Sequence, residues 1–130
     1  MKILMDKREE RNTDYRVIWE SLGYEVSAKQ MGPDYIVPEL GWAIERKAND
    51  FRARDTSRIK RQLMELRQVG ELVILAIDVE RPDLLMAEVG MEQMFGMMGR
   101  FEQMGFSVEV TFGKMAWWLH KRIQKHLEVK

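Results

Sequence analysis

The run Leu72-Val73-Ile74-Leu75-Ala76-Ile77, with Val79 just beyond it, limits the fold more than any other part of the chain. It is far too short to cross a bilayer, and it lacks the polar alternation of a strand with one wet face. It is predicted to be an interior strand covered on both sides. The rest of the sequence supplies the covering layers. Ile3–Met5 reads as a short buried strand ending at Asp6, and Lys7–Asn12 as a charged loop. Thr13 is the expected N-cap of a helix from Asp14 to Leu22, stopped at Gly23. Tyr24–Gln30 alternates as a strand; Asp34–Val37 and Trp42–Lys47 read as two more, joined by a hairpin turn at Pro38–Gly41. A helix capped by Thr56 or Ser57 is predicted to run to Val69, with Ile59, Leu63 and Leu66 as its apolar stripe. Glu80–Gly90 reads as a linker holding a single helical turn, Met91–Met104 as a helix, Phe106–Phe112 as a strand and Lys114–Leu127 as a closing helix. This order describes a mixed α/β/α sandwich around one sheet.

At 130 residues, 45% of them hydrophobic, the chain suits one domain with a core that needs no staples. It has no cysteine, which excludes disulfides and thiolate metal sites, and its two histidines, His120 and His126, argue against a zinc hydrolase. Lys2, Asp6 and Lys7 stand where a signal peptide would be apolar. The expected setting is intracellular, cytoplasmic or nucleoid-associated, with no membrane contact. The 21 basic and 21 acidic residues cancel overall but not locally. Residues 45–67 hold eight basic against four acidic, residues 114–130 five against one, and residues 78–109 two against seven. Two basic segments on one molecule can present a polyanion-binding face, although charged helices are also ordinary solvated surface.

The chemistry concentrates on the predicted hairpin. Asp34 opens one strand, while Glu45 and Lys47 sit two apart on the next and share a face. Pairing across Pro38–Gly41 can bring Asp34 opposite or diagonal to them. Two carboxylates and a backbone carbonyl make a hard oxygen site of the kind Mg²⁺ or Mn²⁺ prefers, and a lysine beside it can orient water and offset charge on a phosphodiester. On spacing alone, a plain cross-strand ion pair is the preferred reading.

Further motifs surround this set. Leu4-Met5-Asp6-Lys7-Arg8-Glu9 has the form of a strand followed by Asp-x-Arg-Glu, and Gly32-Pro33-Asp34-Tyr35 leads into the hairpin. Glu45-Arg46-Lys47 is followed by Asp50, and Ser57-Arg58-Ile59-Lys60-Arg61-Gln62-Leu63 opens the next helix. In this order the chain resembles the nuclease domain of the XPF/Hef family of structure-specific endonucleases, within the wider PD-(D/E)XK nuclease fold. The match is dense over residues 2–66. The resemblance implies a restriction-endonuclease-like α/β/α sandwich with a central mixed sheet. It also implies a Mg²⁺- or Mn²⁺-dependent endonuclease acting on flaps, forks or junctions in DNA without reading sequence.

By that resemblance Asp34 and Glu45, with the Arg46 backbone carbonyl, are metal ligands, and Lys47 is catalytic. Asp6, Arg8 and Glu9 fall on the Asp-x-Arg-Glu motif, Arg46 on the central arginine of Glu-Arg-Lys and Asp50 on the trailing aspartate. Arg46 alternates away from its neighbours and is expected to buttress Asp6 or Glu9. Arg8 is expected to be free to grip a phosphate, unless it and Glu9 simply pair in solvent. Arg8, Arg52, Arg54, Arg58, Lys60, Arg61 and Gln62 are the expected DNA contacts. The chain departs from the family in placing Pro33 between Gly32 and Asp34. It also brings Asp50 one residue closer to Lys47, which leaves that ligand open. The tandem helix-hairpin-helix domain that usually follows is absent from residues 1–130, so a single nuclease domain is expected. A Holliday-junction resolvase of the same fold and a non-catalytic DNA-binding scaffold subunit remain alternative readings.

Two other features bear on partners. Met91, Met94, Phe95, Met98 and Phe101 recur at helical spacing with Met97 and Met104 beside them, which is more apolar surface than one buried stripe requires. A homodimer through this helix is expected. In the last helix Met115, Trp118, Leu119 and Ile123 read as the buried side. Trp117 reads as packing rather than a DNA contact, and His120 and His126 read as surface residues.

Overall fold

The computed structural model describes residues 1–48 and 55–128. Its chain order is β1 (Lys2–Asp6), α1 (Lys7–Asn12), α2 (Tyr15–Ser21), β2 (Glu25–Lys29), β3 (Tyr35–Val37), a 3₁₀ turn (Pro38–Leu40) and β4 (Trp42–Lys47). It continues with α3 (Thr56–Leu66), β5 (Leu72–Ile77), α4 (Pro82–Val89), α5 (Met91–Gln103), β6 (Ser107–Val110) and α6 (Met115–Glu128). The six strands form one mixed sheet in the order β2-β1-β3-β4-β5-β6. Neighbouring pairs are parallel except β1–β3 and β3–β4.

The apolar run at β5 behaves as its composition predicts. Ile74 and Ala76 pack on one face of the sheet with α2 and α6, and Val73, Leu75 and Ile77 on the other with α3 and α5. Each fully buried Val, Leu or Ile side chain contributes about 1.5–3 kcal/mol, so this strand is a large part of the core. Period-two alternation also sorts β4. Trp42 and Ile44 enter the α2/α6 core and Ala43 the α3/α5 core, which sends Arg46 to the first face and Glu45 and Lys47 to the second. The hairpin between β3 and β4 is closed by Gly41 in the left-handed region (φ 70°).

Several expectations are corrected. Lys7–Asn12 is a helix, because Asp6 caps it by accepting the Arg8 backbone N–H (3.1 Å). Thr13 closes that helix and does not cap the next; Asp14 stands at the N-cap position of α2. Glu80–Gly90 holds a two-turn helix, since Pro82 sits in its first turn, where a missing N–H costs nothing. The last strand stops at Val110, so Phe112 lies in the turn that follows. Trp117 is 47% exposed, which contradicts a packing role. His120 is partly buried, its Nδ1 2.7 Å from the Tyr24 hydroxyl, while His126 is exposed and sits edge-on to Trp42.

Candidate active site

β1, β2, β4, β5 and β6 run in one direction and β3 in the other. Five strand C-termini and the residue before β3 therefore meet along one edge of the sheet. Asp34 lies there. Continuing the register Tyr35↔Ile44 by one residue sets Asp34 opposite Glu45, and the Asp34 N–H donates to the Ile44 carbonyl (3.2 Å). The Asp34 carboxylate accepts the Arg46 backbone N–H (2.8 Å). N–H and C=O of one residue in a strand project to the same side, so the Arg46 carbonyl faces Asp34 as well. Lys47 turns back to Glu45 (3.2 Å), and its Nζ donates to Gln62 of α3 (2.9 Å). Arg8, Glu9, Pro33, Arg58 and Gln62 complete the walls of a cleft of about 660 Å³ around these groups.

The electrostatics of this cleft are unbalanced. Asp34 and Glu45 are only 8% and 7% exposed. Burial, then the charges of Glu45 and Glu9, push the Asp34 carboxyl up to about 8, more than the Arg46 N–H and Lys47 hold it down. Burial also raises Glu45, although Lys47 opposes the shift through both its charge and its hydrogen bond. Like charges buried together lack counter-charge. Among the described residues no three His, Asp or Glu side chains converge as a ready metal cluster. The donor set still fits a hard divalent cation that takes two carboxylates plus backbone and water oxygens.

Arg46 anchors a second polar group on the opposite face. It reaches Glu9 (3.3 Å), as expected, but its main partner is Asp78 (2.7 Å), just beyond β5. Asp78 also accepts from the hydroxyls of Tyr15 (2.5 Å) and Thr111 (2.6 Å) and from the Met115 N–H (3.2 Å). Burial disfavours the Arg46 charge, yet Asp78 and Glu9 raise its pKa above the ordinary value. Tyr15 is raised too, by burial and by its bond to Asp78. The sequence reading missed Asp78, Tyr15 and Thr111.

The remaining expected residues divide. Asp6 is not Arg46's partner. It accepts from the Arg8 side chain (2.7 Å) and the Met31 N–H (2.9 Å), tying α1 to the loop before Asp34. Arg8 is thus paired with Asp6, not free and not with Glu9, although its side chain stays 63% exposed beside the cleft. Arg58 and Gln62 line the cleft; Lys60 and Arg61 are exposed elsewhere on α3. Asp50, Arg52 and Arg54 lie outside the described residues.

Two solved structures share this architecture. XPF from Aeropyrum pernix in complex with DNA matches with a TM-score of 0.73 at 22% identity, over 99% of this chain and 66% of that one. A second structure of XPF from Aeropyrum pernix gives 0.62 at 24% identity, over 93% of this chain and 62% of the other. The chain thus spans less than two-thirds of either. No protein-family model and no curated protein matches the sequence. The likeness establishes an XPF-like nuclease fold, the restriction-endonuclease-like α/β/α sandwich that the motifs implied. No helix among the described residues is long and apolar enough to cross a membrane.

Proposed function

We propose that this chain is a divalent-metal-dependent DNA endonuclease that cuts branched DNA. The observation that carries the reading is the buried pair Asp34 and Glu45, both held above the ordinary carboxylate pKa, with Lys47 beside it, at the open edge of a nuclease-type sheet. A DNA complex of XPF among the similar structures supports nucleic acid as the substrate class. Asp34, Glu45 and the Arg46 carbonyl would hold Mg²⁺ or Mn²⁺, which supplies Lewis acidity at the scissile phosphate. Lys47, held by Glu45 and Gln62, aims its ammonium into the cleft, where it orients the attacking water and offsets charge growing on the phosphorus. Arg8 and Arg58, both largely exposed at the cleft wall, grip flanking phosphates without reading bases. Met91 and Phe95 stay exposed on α5 beside buried Met94, Met97 and Phe101, and a second copy of the chain covers them. Light scattering should then report a dimer.

Labelled flap, fork, four-way-junction and linear duplex substrates test the reading with Mg²⁺, Mn²⁺ or Ca²⁺. Glu45→Gln and Lys47→Ala are each expected to slow cutting by about 10³-fold while Ca²⁺-supported binding persists. Wild-type protein that binds branched DNA and never cuts it would establish the non-catalytic reading instead.

A further inference from the structure

The turn between β6 and α6 holds a residue that neither packing nor backbone preference explains. Phe112 has φ 56°, and among the described residues it is the only non-glycine in the left-handed region. Gly113 follows at φ 72°, and the Lys114 N–H donates to the Thr111 carbonyl (2.8 Å), as in a type I′ turn. The first central position of such a turn favours Asn, Asp or Gly, and a β-carbon there is strained. Packing does not compensate, because the ring is 55% exposed.

The strain is nevertheless held firmly. Thr111 donates through its N–H to Ile77 (2.9 Å) and through its hydroxyl to Asp78 (2.6 Å). On the other side the Gly113 carbonyl accepts from Tyr15 (3.2 Å), and a β-carbon at Gly113 would lie 2.7 Å from the Glu80 side chain. Backbone on both flanks of Phe112 is thus tied to the buried group around Asp78. An exposed ring is presented on a rigid base.

Its position gives that ring a use. The turn leaves the same sheet edge as the carboxylates, two strands from β4, which at the ordinary strand spacing is about 10 Å. A hollow lined by Arg46, Ala48 and Gly113, with Asp14, Asp78 and Glu80 on its acidic side, adjoins the main cleft, with which it shares Asn12, Arg46 and Ala48. Lys114, exposed two residues along the chain from the ring, supplies positive charge for a phosphate. About 10 Å is roughly three stacked nucleotides of one strand.

We propose that Phe112 is a stacking platform for an unpaired nucleobase about three nucleotides from the scissile phosphate, and so a determinant of preference for branched over continuous DNA. A paired, stacked base offers no free face to the ring, whereas a base at a branch does. The proposal rests on the reading that the cleft acts on DNA.

The test uses the full chain with Ca²⁺, flaps carrying 2-aminopurine at successive positions from the branch, and matched continuous duplexes. Wild-type protein is expected to quench 2-aminopurine within a window of one or two positions. Phe112→Asn should abolish that quenching and lower the branched-to-duplex affinity ratio about tenfold. The same variant should raise Tm by about 3 °C, because Asn tolerates the left-handed turn. Phe112→Trp should keep the quenching. Unchanged quenching and ratio in Phe112→Asn would overturn the proposal, as would conversion of a dimer to a monomer, which would make the ring a subunit contact. Wild-type protein that binds no DNA removes the functional reading itself; wild-type protein that cuts branched DNA with Phe112→Asn indistinguishable from it removes this inference alone.

Discussion

Glu45 and Arg46 are consecutive on β4, and alternation sends them to opposite faces of the sheet, into two polar groups of contrasting construction. On the α2/α6 side, Asp78 receives four hydrogen bonds, from Arg46, Tyr15, Thr111 and Met115, and its charge is met by a guanidinium. On the α3 side, Asp34 and Glu45 share one ammonium and one backbone N–H; burial raises the proton affinity of both, and the Glu45 charge raises that of Asp34 further. Both groups are buried, so burial does not separate them. What does is the ratio of donors to carboxylate oxygens. A buried carboxylate saturated with donors holds elements together; a pair left short of positive charge has acceptor oxygens to spare.

The strongest way to break this comparison is Asp78→Asn. Removing one partner of a buried pair leaves the other uncompensated, with a typical loss of about 3 kcal/mol. Chemical denaturation should show that loss, together with weakened docking of α2 and α6, because Tyr15 and Met115 bond to different Asp78 oxygens and an amide keeps only one acceptor oxygen. A loss below about 1 kcal/mol would mean that Asp78 is not the structural member of the two.

Asp34→Asn should act in the opposite direction. The folded-state pKa of Asp34 is raised to about 8 from an ordinary 3.8, so between these values the folded chain holds a proton that the unfolded chain has released. Stability is then fully present below the unfolded pKa and declines as pH rises towards the folded one, at about 1.4 kcal/mol per pH unit while the difference is one whole proton. Asp34→Asn removes that slope and makes the metal-free protein more stable at pH 7 than wild type. The reading also requires Mg²⁺ to raise wild-type Tm more at pH 8 than at pH 6, and to do little for the variant. A Tm insensitive to Mg²⁺ at both pH values would remove the cation from the account.

How much of this was legible beforehand depended on how local each signal was. Asp34, Glu45 and Lys47 could be placed because the hairpin is short and strand alternation leaves few registers. β5 could be placed because six apolar residues in a row have few other uses. Lys7–Asn12 was missed because a helix of charged residues shows no apolar period; its determinant is the capping carboxylate of Asp6. α4 reads as a single turn in the sequence, shorter than the helix Pro82–Val89, because Pro82 looks like a breaker unless its place in the first turn is known. Asp78 left no trace at all. Its partners Tyr15 and Thr111 stand 63 and 33 residues away, and at the end of an apolar run an aspartate looks like any turn residue. Arg46 was assigned its face correctly by alternation, but which carboxylate it would meet there depended on packing between β5 and α2.

The finest version of the contrast uses two neutral partners, one from each group. Gln62 accepts from Lys47 (2.9 Å) at the cleft wall, and Tyr15 donates to Asp78 in the interior. Gln62→Ala leaves Lys47 ion-paired with Glu45 but less restricted, so cutting should slow about tenfold, or about 1.4 kcal/mol in activation free energy, with Tm unchanged. Tyr15→Phe removes one of four donors to a buried carboxylate and should cost about 1–2 kcal/mol of stability. Its cutting rate, measured well below Tm, should stay near wild type, because no atom of Tyr15 lines the main cleft. Each substitution is nearly silent in the measurement that the other disturbs. If Tyr15→Phe slows cutting as much as Gln62→Ala does, the two faces of β4 are coupled through Arg46, and the division between a structural and a reactive group no longer holds.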